Sequence, residues 1–446
     1  MMKTPICDFV RKYAESDPLR LHMPGHKGIS LTGAELYDIT EIDGADSLYT
    51  ASGIIRESEE NARRLFGSAA TLYSTEGSSQ CIRAMLYLAR LYAMEKGKRP
   101  LVLAGRNAHK AFVSAAGLLD FDVEWMMPSE KDSYLSCSID TYELDRALKT
   151  LSPAALYITS PDYLGNCADI SAISEVCRKH GVLLLVDNAH GAYLKFLSPS
   201  RHPLDEGADM CCDSAHKTLP ALTGAAYLHI SDSAPKFLRD AARDALSLFG
   251  STSPSYLILQ SLDAVNAYID GGFSSRLGEF SKRVNDLKKR LLSYGFELVG
   301  NEPMKITLKT RPFGYYGGEL AEILARQGAV CEFYDSDHLV MMLSCETGEA
   351  GLERIGNIFR NIERRASIDA KNPTAYLPEG VMGIREAMLS KKERLPVCEA
   401  EGRVLASLNV SCPPAVPIAV CGERIDKETI ARFEYYGALF CDVVKE

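Results

Sequence analysis

Five short apolar runs stand out between residues 101 and 230: LVLA (101–104), AALYIT (154–159), VLLLVD (182–187), ADMCCD (208–213) and GAAYLHI (224–230). Most are separated by stretches with helical spacing, such as SAISEVCRKHG (171–181). Continuous apolar runs between helices predict a parallel sheet buried on both faces. IRESEENARRLFG (55–67) and SSQCIRAMLYLARLYAMEKG (78–97) carry amphipathic helical spacing, and each ends in glycine. From 255 to about 293 the pattern is again helical. The shorter alternating pieces MKITLKT (304–310) and HLVMMLS (338–344) predict a smaller α+β domain. The first fifty residues, rich in Pro, Gly and acidic side chains, read as an arm and loops. The Pro-rich stretch from 373 reads as a separate C-terminal segment. The expected boundaries are therefore 1–50, 51–272, 273–370 and 371–446.

Length agrees with this division, because 446 residues exceed one ordinary core. A hydrophobic share of 46% with 24% charge is that of a soluble globular protein. The net charge of -9 argues against nucleic acid as the main partner, since phosphate backbones select basic surfaces. The thirteen cysteines are scattered, with no CxxC and one adjacent pair, Cys211–Cys212. MMKTPICDFVRKY has no apolar signal core, and no run approaches membrane-spanning length. The expectation is a cytoplasmic protein with reduced thiols, no membrane association and no metal site, as no ligand spacing supports one.

Candidate chemistry concentrates at two strand ends. Asp187 closes VLLLVD, and thirty residues later DSAHKTLPALTG places Ser214, His216 and Lys217 just after the next apolar run. In α/β folds such positions present functional groups. A lysine amine that forms an imine, a carboxylate that faces a pyridine nitrogen, and a hydroxyl and imidazole that bind a phosphate dianion are what pyridoxal 5'-phosphate (PLP) requires. Gly77, Ser78 and Ser79 open the helix at 78, where backbone N–H groups and the helix dipole favour a phosphate. His109 follows the LVLA run directly, placed to stack on a ring.

Taken together, these strings resemble the Orn/Lys/Arg decarboxylase family, the group III PLP-dependent decarboxylases of fold type I. LHMPGHKG is similar to the family's PGHK segment, and DITEIDGADSLY to its D-x-T-E-x-x-G-x-D-x-L segment. SAHKTLPALTG is similar to its lysine motif, STSPSYLILQSLDA to its S-S-P-S-Y segment, and CPPAVPIAVCGERI to its C-terminal Y-P-P-G-I-P…P-G-E. The resemblance covers almost the whole chain. It implies an α/β large domain of the fold-type-I PLP transferase kind, with a mainly parallel sheet, and a smaller α+β domain towards the C-terminus. It makes Lys217 the Schiff-base lysine, Asp187 the partner of the pyridine nitrogen and His109 the stacking ring. Ser78, Ser79, Ser214 and His216 then hold the phosphate, and His190 lies near the ring hydroxyl or the substrate carboxylate. It also implies a homodimer at least, with Ser253 and Ser255 reaching the neighbour's cofactor. Two departures stand out. Asn188 in DNAH replaces the carboxylate of the usual D-E-A-H, and Cys412 and Ala415 in CPPAVP replace the usual Tyr and Gly.

The resemblance, rather than any spacing, selects decarboxylation of a basic amino acid (arginine, lysine or ornithine) and a place in polyamine metabolism. An aminotransferase or other PLP lyase of the same fold, and a non-catalytic PLP-binding protein, are the alternatives. A transaminase of this fold clamps the substrate carboxylate with an arginine, for which Arg106, Arg276 and Arg311 are the candidates. A basic substrate also needs an anionic partner, and Asp38, Glu41, Asp43 and Asp46 form the acidic stretch that offers one.

Overall fold

A computed structural model describes residues 2–128, 133–369, 374–408, 411–412 (backbone only) and 415–445. Two compact units divide the chain: Met1–Gly97 with Leu183–Leu277, and Lys98–Val182 with Gly278–Glu446. Seven strands carry the α/β part: β1 (Ala70–Ser74), β2 (Leu101–Gly105), β3 (Asp122–Met126), β4 (Ala155–Thr159), β5 (Leu183–Asp187), β6 (Met210–Asp213) and β7 (Ala226–Ile230). The five apolar runs are β2, β4, β5, β6 and β7.

In the first unit the strand order is β1, β7, β6, β5. β5 and β6, apolar and fully buried, pair in parallel, with Asp187 opposite Cys212. β7 returns antiparallel to β6, placing His229 opposite Cys211 and Tyr227 opposite Asp213. In the second unit β2 pairs in parallel with both β3 and β4. The apolar pattern did not announce β1 or β3. β3 is an end strand that keeps Asp122 and Glu124 accessible, so it reads as polar. β1 holds Thr71 and Ser74, whose hydroxyls are satisfied by side-chain partners.

The helical stretch from 255 to 293 is two helices, Tyr256–Asp270 and Phe273–Ser293. They are broken at Gly271–Gly272, where Gly272 takes φ +89°, a conformation that side chains disfavour. The expected α+β portion is present in the second unit as a four-stranded antiparallel sheet. Its strands are β8 (Glu297–Val299), β9 (Lys305–Lys309), β10 (Phe333–Tyr334) and β11 (His338–Met342), in the order β10, β11, β9, β8. Leu405, Ile418, Ile425 and Phe433 of the C-terminal segment share one core with Phe333 and Val340 of that sheet. Among the described residues no helix is long and apolar enough to cross a membrane.

The helix Pro5–Glu15 docks on the first unit through a buried carboxylate. Asp263 accepts the Ile6 and Cys7 N–H groups at 2.9 and 3.0 Å, and Ser58 Oγ donates to it at 2.6 Å. Burial pushes its carboxyl from the ordinary 3.8 up to about 6, outweighing those donors. A carboxyl raised on folding holds its proton more tightly in the folded state. Its contribution to stability is therefore greatest below the ordinary value and is lost as pH rises through about 6. Asp263→Asn removes this titration. Its thermal midpoint relative to the natural protein should rise by roughly 5 °C between pH 4 and pH 7. A pH-independent difference in thermal scans would assign Asp263 an ordinary carboxyl.

Candidate active site

The first unit gathers five of the expected residues, Asp187, His190, Ser214, His216 and Lys217, at or just past the carboxyl ends of β5 and β6. Asp187 is the last residue of β5 and 3% exposed; its Oδ1 accepts the Ala189 N–H at 3.2 Å, and Cys212 Sγ donates to it at 3.6 Å. His190 follows in the turn that Gly191 N–H closes on Asn188 O at 2.8 Å, and it is buried. One strand over, β6 ends at Asp213 and the chain enters the short helix Ala215–Thr218, which carries His216 and Lys217 behind the N-cap Ser214. The His216 Nδ1–H donates to Ala225 O at 2.9 Å, fixing the ring's tautomer and orientation.

The glycine-serine turn meets this segment. Gly77 is the N-cap of the helix Ser78–Glu95, with φ +71° and open space where a Cβ would stand. The requirement for glycine is therefore conformational, not steric. Gln80, which the sequence reading passed over, holds the turn: Ser74 Oγ donates to its Oε1 at 2.6 Å, and its Nε2 donates to Tyr49 Oη and Leu246 O at 2.9 and 2.8 Å. Ser78 and Ser79 are the first helical residues, and Ser214 Oγ donates to Ser78 Oγ at 2.9 Å. That hydrogen bond spans 136 residues of sequence and joins the lysine segment to a helix N-terminus. Helix N–H groups and two serine hydroxyls make a donor set suited to a phosphate dianion. With a lysine amine and a buried strand-end carboxylate in the same unit, the residues fit PLP.

The other expected residues lie elsewhere. His109 belongs to the second unit and caps the helix Lys110–Leu119, its Nδ1 accepting the Ala111 N–H at 3.0 Å. Ser253 is exposed, and Ser255 caps the helix Tyr256–Asp270. Of the CPPAVP string, the Cys412 side chain, Pro413 and Pro414 lie outside the described residues. Ala415 O accepts the Lys110 N–H at 2.9 Å, so this segment packs against the start of the helix that His109 caps.

The candidate arginines are all engaged. Arg106 donates to Pro417 O and Ile418 O at 2.9 and 3.0 Å and lies 3.4 Å from Glu423, which ties the C-terminal segment to the end of β2. Arg276 donates to Gly271 O at 2.8 Å and lies over the Tyr268 ring. Arg311 pairs with Asp337 at 2.7 Å and donates to Tyr435 Oη. The acidic stretch also divides. Asp46 accepts N–H groups from Ser47, Ser52, Gly53, Ile55 and Arg56, and so forms the start of the helix Ile54–Phe66. Those donors outweigh burial and hold its carboxyl below the usual range. Asp38 lies 3.3 Å from His26 Nε2. Glu41 and Asp43 are exposed.

The chain matches known proteins along nearly its whole length. Residues 4–310 match the family model described as Orn/Lys/Arg decarboxylase, major domain, and 371–441 match Orn/Lys/Arg decarboxylase, C-terminal domain. The YaaO protein of Bacillus subtilis is 30% identical over 97% of this chain and 94% of its own length. The arginine decarboxylase of the same organism is 26% identical over 96% and 92%. In structure, lysine decarboxylase A from Pseudomonas aeruginosa aligns with a TM-score of 0.80 at 18% identity, covering 99% of this chain and 80% of that one.

Proposed function

The chain belongs to the Orn/Lys/Arg decarboxylase family and is a decarboxylase, and we propose that its substrate is a basic amino acid (arginine, lysine or ornithine) turned over on PLP bound through Lys217. The observation that carries the cofactor assignment is the hydrogen bond between Ser214 and Ser78, which brings the lysine segment onto the helix N-terminus. In this reading Ser78, Ser79 and Ser214 donate to the phosphate, His216 lies beside it with its Nδ1–H held on Ala225 O, and Gly77 lets the backbone approach it. Asp187 holds a proton on the pyridine nitrogen, and His190 sits by the ring hydroxyl or the substrate carboxylate; the resemblance gives His109 the stacking role. Bound PLP supplies the electron sink for the pair left at Cα when the carboxylate departs as CO2. Lys217 Nζ then delivers a proton to Cα.

Transamination on the same fold calls for an arginine on the substrate carboxylate, and Arg106, Arg276 and Arg311 are each committed to other partners. That favours loss of the carboxylate over loss of the Cα proton. Residues 51–272 form the cofactor-binding domain in this reading, 273–370 the small domain and 371–446 the C-terminal segment. The working unit is a cytoplasmic homodimer in polyamine metabolism, each copy lending Ser253 and Ser255 to its neighbour. The exposure of Leu19, Leu21, Ile29 and Leu31, at 68–85%, supports a partner surface on the N-terminal arm.

The deciding experiment is CO2 release from a panel of amino acids. Release from arginine, lysine or ornithine, with the matching amine as product, is the expected result. Release only from neutral or acidic amino acids overturns the substrate class, and a keto-acid product overturns decarboxylation. Because Asp46 and Asp38 are engaged, the counter-charge for the substrate side chain falls to Glu41 or Asp43. Glu41→Gln or Asp43→Asn should raise KM for the basic substrate about 10-fold or more, with cofactor occupancy unchanged. Unchanged KM in both variants removes the stretch from substrate binding.

A further inference from the structure

Beneath the two strand ends lies a buried polar cluster that no part of the proposed reaction uses. Three donors converge on Asp213: Asn188 Nδ2 at 2.6 Å on Oδ1, and His202 Nε2 and His229 Nε2 at 3.0 and 3.2 Å on Oδ2. All four residues are 0% exposed. His202 Nδ1 accepts the Leu204 N–H at 3.4 Å, and Thr71 Oγ1 lies 2.8 Å from His229 Nδ1. These partners put the ring protons of both histidines on Nε2, facing Asp213. Burial pushes the Asp213 carboxyl up, yet the two imidazoles outweigh it and hold the group below the usual carboxylate range. Burial pushes His229 down, so its ring stays a neutral donor.

The pair at the centre of this cluster flanks the proposed chemistry directly. Asn188 follows Asp187, and its N–H donates to Cys212 O at 3.0 Å; Asp213 precedes Ser214 and stands four residues before Lys217. The Asn188 side chain fills the space where a Cβ on residue 191 would stand, 2.0 Å from its Oδ1, so Gly191 is what leaves room for it. A carboxylate at 188 would face the Asp213 carboxylate in a fully buried site, where two like charges cannot both ionise.

We propose that Asn188 and Asp213 are a matched pair of positioning residues, in which an amide rather than a carboxylate stands at 188 because the Asp213 carboxylate already occupies the other side of this buried contact. The pair clamps the ends of β5 and β6 together and so sets the separation of Asp187 from the Lys217 segment. Asn188→Asp puts two carboxylates in contact. Asp213→Asn removes the anionic acceptor that both imidazole N–H groups share and leaves two amides in contact, so that the Asn188 amide has to turn over to accept the new N–H. The double variant restores a complementary pair with reversed polarity. The amide then at position 213 donates to the carboxylate then at position 188, and its oxygen accepts from both imidazoles.

The test is a double-mutant cycle read by thermal unfolding and by PLP affinity from absorbance titration, neither of which uses turnover. Each single variant should lower the thermal midpoint by about 5 °C or more and weaken PLP binding about 10-fold. The double variant should return both values to within about 2-fold in affinity and 2 °C in midpoint. Affinity, measured well below each midpoint, separates positioning from stability alone. If Asn188→Asp does not fold, folded N188D/D213N protein is itself the rescue. An unchanged N188D, or a double variant no better than the worse single, overturns the pairing. The affinity arm rests on the PLP reading above. Failure of the natural protein to bind PLP overturns that reading, while the thermal cycle still decides the pair.

Discussion

Lys217→Ala should abolish covalent attachment of PLP and reduce CO2 release by about 10⁴-fold or more. The amine is a reactant, so no neighbouring side chain replaces it by a small shift. It is placed by the N-cap Ser214, by the Lys217 N–H bond to Ser214 O at 3.0 Å, and by the His216 anchor on Ala225 O. Other lysines of the first unit lack that setting; Lys195, for example, is paired with Asp205 at 2.6 Å. Borohydride reduction of the natural protein followed by peptide mapping gives the direct readout. A label on the peptide that contains Lys217, absent from the alanine variant, is the expected result. A label on any other lysine sinks the assignment, whatever happens to turnover.

Asp187→Asn should leave PLP bound while turnover falls by about 10²–10⁴-fold. The substitution is isosteric and keeps an acceptor for the Ala189 N–H and the Cys212 thiol, so the end of β5 is preserved. In the proposed function it removes the negative charge assigned to holding a proton on the pyridine nitrogen, and with it most of the ring's capacity to accept electrons. Asp187→Glu retains the charge with displaced geometry and should recover part of the loss. Near-natural turnover in a folded, PLP-loaded Asp187→Asn protein would show that another carboxylate faces the ring.

The strands buried on both faces were legible because burial from two sides forces continuous apolar runs, as in VLLLVD and ADMCCD. β1 and β3 were not, because an end strand or one with internally satisfied hydroxyls tolerates polar residues. The helical stretch 255–293 was legible as helix, and its break at Gly271–Gly272 was written in the same letters. Gln80 and the cluster around Asp213 were missed. A lone His202 in RHP and a strand-end Asp213 carry no local period, and the only signal was the unusual Asn188 beside Asp187. The acidic stretch was read as one feature, whereas five backbone donors on Asp46 make it part of a helix start.

By itself the sequence determined the family and the α/β class, and it offered the groups to which the proposed function gives the PLP roles, Lys217 with Ser214 and His216 and Asp187 one strand earlier. It did so because family motifs, continuous apolar runs and strand-end polar residues are encoded over short spans. The tertiary structure alone decided which polar groups are committed to holding the fold: Arg106 on the C-terminal segment, Asp263 under the first helix, and Asp213 among Asn188, His202 and His229. Those assignments depend on partners that lie from about ten to hundreds of residues away in the chain, and on the exclusion of water around them. Side-chain type does not reveal either one; strand pairing and burial do.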